Sequence, residues 1–224
     1  MTAGTLRIGA SGFSFPSWRP GFYPAGSKPA DFLGLYSRRL ATVEINNSFY
    51  KLPAAATFEG WARTVPDGFR FAVKAPRAVT VFGRADFVPD LNARVRSLGD
   101  RLGPLLVRLA DKKERDDAFL AKILDAIDDD LDVALDLRHP SWDGVEADIA
   151  RWGAVRVNQL EGSDAPFRYL RLRDTPYDDT QLAGWAERIR GLLADGLDVY
   201  CYFKHEDEPT APAYAARLQE LLSE

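Results

Sequence analysis

The chain has 224 residues, of which 46% are hydrophobic and 28% are charged, and its formal net charge is −4. This composition predicts one globular domain, residues 1–224, with a sizeable core. The net negative charge excludes a protein that coats nucleic acid by bulk charge, so any anion site must be local. No apolar run approaches the roughly 20 residues that a bilayer crossing needs, and the first residues lack a secretory pattern.

The cysteine content bears on the compartment. Cys201 is the only cysteine, which excludes an internal disulfide and favours a reducing cytoplasm. Because Cys201 lies in an apolar, strand-like segment, we expect a buried structural thiol rather than a nucleophile.

Eight short apolar or alternating segments bounded by turn residues are predicted to be β-strands. They are Leu6–Ala10, Thr42–Ile45, Phe69–Lys74, Leu105–Leu109, Val133–Leu137, Val155–Asn158, Phe167–Leu172 and Val199–Phe203. Segments with helical spacing separate most of them, for example Phe119, Ile123, Leu124 and Ile127. This alternation is typical of a parallel sheet, and eight units favour a (β/α)8 TIM-type barrel.

Two further features refine this α/β prediction. No G-x-G-x-x-G motif follows the first strand, which argues against a dinucleotide-binding open sheet. About eight residues separate Asn158 from Phe167, fewer than a helical crossover between parallel strands needs. We therefore expect the sixth helix to be short or absent.

The faces of the predicted strands indicate where a site lies. Side chains alternate across a strand, so one face lines the barrel, and these inward faces become polar toward the carboxyl ends of the strands. Barrels of this kind carry their active sites at those ends. The inward cations are Lys74, Arg108, Arg138, Arg171, Arg173 and Lys204, and the acids are Glu44 and Asp136, with Glu206 as a further candidate. Arg7, which begins a strand, is expected to lie deeper or at the opposite end.

Two interpretations of this charge pattern stay open. An anionic ligand would resolve the excess of cations, because the planar guanidinium matches phosphate and carboxylate oxygens. Replacement of Arg171 by methionine would then leave the stability unchanged or raise it. The alternative is a structural layer of ion pairs in which Glu44 and Asp136 hold two arginines while the other cations reach water.

Candidate catalytic groups are Glu44, Asp136 and the only two histidines, His139 and His205, each of which follows an inward cation. Glu44 is the carboxylate expected closest to the chemistry. For the histidines the alternatives are a cap on the turn before Pro140 and a surface ion pair. Further candidate ligand contacts are Asn46, Tyr50, Trp142 and Asn158. The aromatic ones suit a stacked nucleobase or sugar, with core packing as the alternative.

No cofactor or metal is predicted. The potential metal ligands Glu44, Asp136, His139, His205, Glu206 and Asp207 follow no close-spaced motif, and the surrounding cations would repel a divalent ion.

Several motifs together resemble the domain-of-unknown-function family 72, also called YecE-like, from about Ile8 onward. These are Ile8-Gly9-Ala10-Ser11-Gly12-Phe13, Val43-Glu44-Ile45-Asn46, Phe71-Ala72-Val73-Lys74, Leu102-Gly103-Pro104, Arg138-His139-Pro140-Ser141-Trp142 and Tyr169-Leu170-Arg171-Leu172. The resemblance implies a TIM barrel with these residues at its mouth, and it implies no established activity. The sequence departs from the family pattern at Arg108, Asp136, Arg173-Asp174 and Lys204-His205, and three of these four changes add or move basic character.

The function predicted from the residues is action on a phosphorylated or other anionic substrate, with a nucleic-acid component as one candidate. The alternative is a non-catalytic binder of an anionic metabolite or single-stranded nucleic acid. A glycosidase is a third reading, although a basic excess is unusual for a neutral sugar. The predicted partners are therefore an anionic small molecule or a nucleic-acid component, and no membrane.

Overall fold

The structure, a computed structural model, describes residues 3–204 and 207–223. The strands are β1 Leu6–Ala10, β2 Thr42–Ile45, β3 Arg70–Lys74, β4 Leu102–Arg108, β5 Val133–Asp136, β6 Val155–Arg156, β7 Phe167–Leu172 and β8 Asp198–Phe203. The α-helices are α1 Phe32–Ser37, α2 Ala55–Thr64, α3 Arg77–Thr80, α4 Val88–Val95, α5 Asp117–Leu124, α6 Glu146–Ile149, α7 Asp179–Ala194 and α8 Thr210–Ser223.

The strands form one sheet in the order β6-β5-β4-β3-β2-β1-β8-β7, and consecutive strands alternate with helical segments over most of the chain. The predicted α/β fold of the TIM-barrel type is confirmed. No helix lies between β6 and β7, so the expected absence of the helix that would follow the sixth strand is also confirmed. The ten intervening residues are too few for a helical crossover.

The described residues group into two compact units. The first contains residues 3–44, 64–70 and 166–223 apart from 205–206. In it β7 pairs with β8, β8 with β1 and β1 with β2, all in parallel. The long helix α7 begins with a capping box between Asp178 and Gln181 and buries Leu182, Ala186 and Ile189 on one face.

The second unit contains residues 45–63 and 71–165, and in it β3, β4, β5 and β6 pair successively in parallel. β4 begins earlier than the predicted Leu105 because it includes Gly103 and Pro104, residue types that usually stand outside strands. Between Phe71 and Val73 on β3 the pairing advances from Leu102 to Leu105, so β4 accommodates them as an irregularity in register.

β6 is shorter than predicted. Asn158, the last residue of the predicted strand, has φ 63, which is left-handed backbone incompatible with a continued strand. Asn158 is consequently exposed rather than part of a regular inward face.

The loop after β1 is an aromatic part of the core. Trp18 and Tyr23 are fully buried, and the Tyr23 ring stacks on Phe32 with 4.3 Å between ring centroids. Cys201 is buried too, as expected, and burial raises the pKa of its thiol well above the ordinary value. None of the helices in the described part of the chain combines the length and apolar composition of a bilayer crossing.

Candidate functional site

The first unit contains a buried carboxylate, Glu44, near the end of β2. Its side chain is 0% exposed and accepts hydrogen bonds from Ser11 Oγ at 2.9 Å, Tyr169 OH at 2.8 Å and Arg171 Nη2 at 2.8 Å. Arg171 is itself only 3% exposed. Tyr169 and Arg171 alternate with Leu170 on β7, so the predicted inward face of this strand is confirmed.

The contacts of Glu44 are those of an ionised carboxylate, because a hydroxyl, a phenol and a guanidinium all donate to it. For Glu44 and Arg171 the structure has the buried ion pair of the alternative interpretation. Because of this pair we expect Arg171→Met to lower the stability rather than leave it unchanged, since the substitution would leave a buried charge without its partner. A catalytic role for Glu44 stays a prediction.

Tyrosines extend the polar core around this pair. Tyr36 OH accepts from the backbone N–H of Ala10 and donates to the carbonyl of Thr42, and Thr42 Oγ1 lies 2.8 Å from Tyr202 OH. The rings of Tyr169 and Tyr202 are 5.0 Å apart. Burial raises the pKa of Tyr36, Tyr169 and Tyr202 well above the ordinary value, and for Tyr169 and Tyr202 the Glu44 carboxylate raises it further. The folded protein therefore resists ionisation of these phenols.

We expect alkali to destabilise the fold through these phenols. Their folded pKa values lie above the unfolded value of about 10. Their full contribution to the free energy of unfolding is therefore present below about pH 10. It falls as the pH rises from there toward the folded values. Tyrosinate absorbance and far-ultraviolet circular dichroism, followed together in an alkaline titration, measure this. At least four tyrosines, these three and Tyr23, whose pKa burial also raises, should ionise only as the secondary structure is lost. Complete ionisation of all tyrosines in a folded chain would contradict the prediction.

The second unit contains a cluster of two arginines and two aspartates at the carboxyl ends of β4 and β5. Asp136 is 5% exposed and pairs with Arg138 Nε at 3.0 Å and with Arg108 Nε at 3.4 Å. Asp111, in the loop after β4, brings Oδ1 to 2.6 Å from Arg108 Nη2 and 3.7 Å from Arg138 Nε. The two guanidinium groups thus converge on two carboxylates, one buried and one 57% exposed.

Lys74 ends β3 in the same unit. It is half-buried, and its Nζ lies 4.1 Å from the centroid of the Phe49 ring. Asn46 is half-buried directly before the short helix Asn47–Phe49, and Tyr50 after it is 77% exposed. An exposed tyrosine is available to a ligand, although nothing in its packing selects one.

Two predicted residues lie in the loop after β5. Trp142 is fully buried and its Nε1 donates to the carbonyl of Lys113 at 2.9 Å, so it offers no surface to a ligand in this structure. His139 is half-buried and caps the short helix Pro140–Trp142, because its Nδ1 accepts from the backbone N–H of Ser141. The capping alternative is therefore confirmed for His139, and its catalytic role stays a prediction.

The remaining predicted residues lie at the ends of β7 and β8. Arg173 and Lys204 are half-buried, and the Lys204 backbone N–H donates to the carbonyl of Leu172. His205 and Glu206 lie outside the described residues. Arg7 pairs with Asp198, the first residue of β8, at 3.0 Å, which confirms its expected position away from the carboxyl ends. That the cations of both units share one mouth stays a prediction.

The sequence reasoning missed four polar partners. Tyr169 shares the inward face of Arg171 but was not selected, although its alternation with leucines was a sufficient signal. Ser11 and Asp111 lie in loops and Ser141 lies in the short helix Pro140–Trp142, where strand periodicity carries no information about direction.

Within residues 3–204 and 207–223, no group of three or more histidine, cysteine, aspartate or glutamate side chains has a metal-binding arrangement.

A family model described as "Protein of unknown function DUF72" matches residues 7–224. The chain belongs to this family. DUF72 is the family that the sequence motifs indicated, and its description names no activity. No curated protein matches the chain.

Solved structures of DUF72 proteins have the same fold. One from Enterococcus faecalis matches with a TM-score of 0.84 and 18% identity, covering 98% of this chain and 96% of that chain. One from Thermotoga maritima matches with a TM-score of 0.83 and 21% identity, covering 98% and 100%. At such low identities the likeness supports the TIM-barrel-like fold alone.

Proposed function

We propose that this DUF72 protein binds a phosphorylated or otherwise anionic ligand, a small molecule or a nucleic-acid component, at the carboxyl ends of β4 and β5. The observation that carries the proposal is the position of Asp111. Its exposed carboxylate lies within ion-pair distance of both Arg108 and Arg138, so one oxyanion already sits between two guanidinium groups.

The two carboxylates of this cluster differ in how readily a ligand could replace them. Asp136 is buried and is the permanent counter-ion of both arginines. Asp111 is exposed, and an exposed ion pair contributes only about 0–1 kcal/mol because water and salt screen it. A phosphate offers more oxygens than Asp111 to the planar donors of the arginines, and it would displace the loop carboxylate.

Lys74 adds positive charge on the neighbouring strand. It stands opposite Leu106 in the register between β3 and β4, and Leu106 is two residues before Arg108 on the same face. A flexible ammonium group beside two arginines suits a ligand with more than one anionic oxygen.

The pairing of the acids favours binding over acid–base catalysis by carboxylates. Glu44 and Asp136, the two predicted acid or base groups, both serve as counter-ions to arginines. An enzyme and a binder would use the same anion site. They are distinguished by incubating the protein with a bound phosphate ester and measuring whether the ester changes.

We expect Asp111→Ala to increase the affinity for phosphate esters about three- to fivefold, because the ligand no longer competes with the loop carboxylate. Isothermal titration calorimetry with inorganic phosphate and with nucleoside monophosphates, at low and at physiological salt, measures the change.

Asp129→Ala is the matched control, since it removes one exposed acid of the same unit and changes the net charge equally. It should alter the affinity much less. Equal effects of the two substitutions would mean that net charge alone acts. A lower affinity in Asp111→Ala, or no phosphate binding by the unchanged protein, would overturn the proposed site.

A further inference from the structure

Three polar groups around His139 are connected in the loops after β4 and β5. The backbone N–H of Arg115 donates to Ser141 Oγ at 2.7 Å, and Ser141 Oγ lies 2.8 Å from His139 Nδ1. The backbone N–H of Ser141 donates to the same Nδ1 at 3.2 Å. One ring nitrogen of His139, Nδ1, is thereby hydrogen-bonded to both the backbone N–H and the hydroxyl of Ser141.

This arrangement selects one tautomer of the neutral imidazole. A backbone N–H cannot donate to a nitrogen that carries a proton, so the contact from Ser141 N requires Nδ1 to be the acceptor nitrogen. The Ser141 hydroxyl accepts from Arg115 and is able to donate its own hydrogen to Nδ1, which agrees with that assignment. The ring proton of neutral His139 therefore resides on Nε2.

We propose that Ser141 is a positioning residue that fixes His139 in the Nε2–H form, so that His139 meets the ligand as a hydrogen-bond donor and not as a base. The donor role rests on the proposed function and on the position of His139 in the loop that directly follows Arg138. A donor to a phosphate oxygen complements the guanidinium groups, whereas an acceptor nitrogen would repel it.

Nitrogen-15 nuclear magnetic resonance of the histidine rings tests the tautomer directly. The measurement is made on the full chain at about pH 8, where an ordinary imidazole is neutral. The chain has two histidines, and a His205→Gln variant identifies the signals of His139. We expect one ring nitrogen of acceptor type at Nδ1 and one of N–H type at Nε2. Averaged resonances, or a proton on Nδ1, would overturn the proposal.

The role of Ser141 is tested by substitution. In Ser141→Ala the two ring resonances should move toward each other, because one of the two donors to Nδ1 is lost, and Ser141→Thr should restore them. Ser163→Ala, which removes a different hydroxyl that accepts from a backbone N–H in the same unit, should leave them unchanged. Unchanged resonances in Ser141→Ala would show that the hydroxyl does not position the ring.

Addition of inorganic phosphate separates this inference from the proposed function. We expect the Nε2 resonance of His139 to shift together with the side-chain resonances of Arg108 and Arg138. If only the arginines shift, the anion site stands and the donor role of His139 is overturned. If nothing shifts, both the proposed function and the donor role of His139 fail. The tautomer proposal is still decided by the spectrum recorded without phosphate.

Discussion

Arg171→Met is expected to lower the free energy of unfolding by about 3–5 kcal/mol, the usual cost of removing one partner of a buried ion pair. Methionine retains much of the side-chain volume, so the loss comes from the charge and not from a cavity. Glu44, which is 0% exposed, would keep Ser11 and Tyr169 as donors but would lose its counter-ion. For a chain of this size the midpoint of thermal unfolding should fall by roughly 10 °C.

Chemical denaturation of the single and double variants measures the coupling. Glu44→Gln with Arg171→Met removes both charges and should recover part of the stability lost in Arg171→Met, because no unpaired buried charge remains. Arg188→Met is the matched control, since Arg188 lies on the exposed face of α7 and stacks on Trp185. It should cost less than about 1 kcal/mol.

The opposite result would restore the interpretation in which Arg171 awaits a ligand. If Arg171→Met were as stable as the unchanged protein while phosphate lost its protective effect, the Glu44–Arg171 pair would contribute little to folding. Arg171 would then be a candidate anion ligand within the first unit.

The fold could be predicted because its signals are local and repeated. β1, β2 and β7 were located to the residue, since their apolar and alternating runs end at glycine, proline or polar turn residues. The predicted bounds of β4 and β6 are wrong where a residue adopts a backbone conformation that its type usually avoids. β4 includes Gly103 and Pro104 through an irregular register, and β6 ends early because Asn158 is left-handed.

The site could be predicted only in part, because alternation gives the face of a side chain but not its partner. The alternation of side chains along the strands placed Glu44, Arg171 and Asp136 on inward faces. The structure pairs each of them with an opposite charge. A count of cations and acids along the strands therefore overstated the unbalanced charge. Asp111, which neutralises part of it, lies in a loop and outside any periodic pattern.

Arg138→Met should affect ligand binding far more than folding, in contrast to Arg171→Met. Asp136 would retain Arg108 as its partner, and Arg138 is already 38% exposed, so the free energy of unfolding should change by only about 1 kcal/mol. A hydrogen bond to a charged ligand is worth about 1.5–3 kcal/mol, which corresponds to a loss of phosphate affinity of about 10- to 100-fold.

Calorimetric titration with phosphate esters and denaturant unfolding, both carried out on Arg138→Met, separate the two effects. Arg151→Met is the matched control, because Arg151 is an exposed arginine of the same unit that stacks on Trp152. It removes the same charge and should change the affinity less than twofold or so, as long-range charge is screened at physiological salt. Full affinity in Arg138→Met would show that this arginine only neutralises Asp136. A large loss of stability with full affinity would assign the whole cluster to the structural ion pairs, as for Glu44 and Arg171.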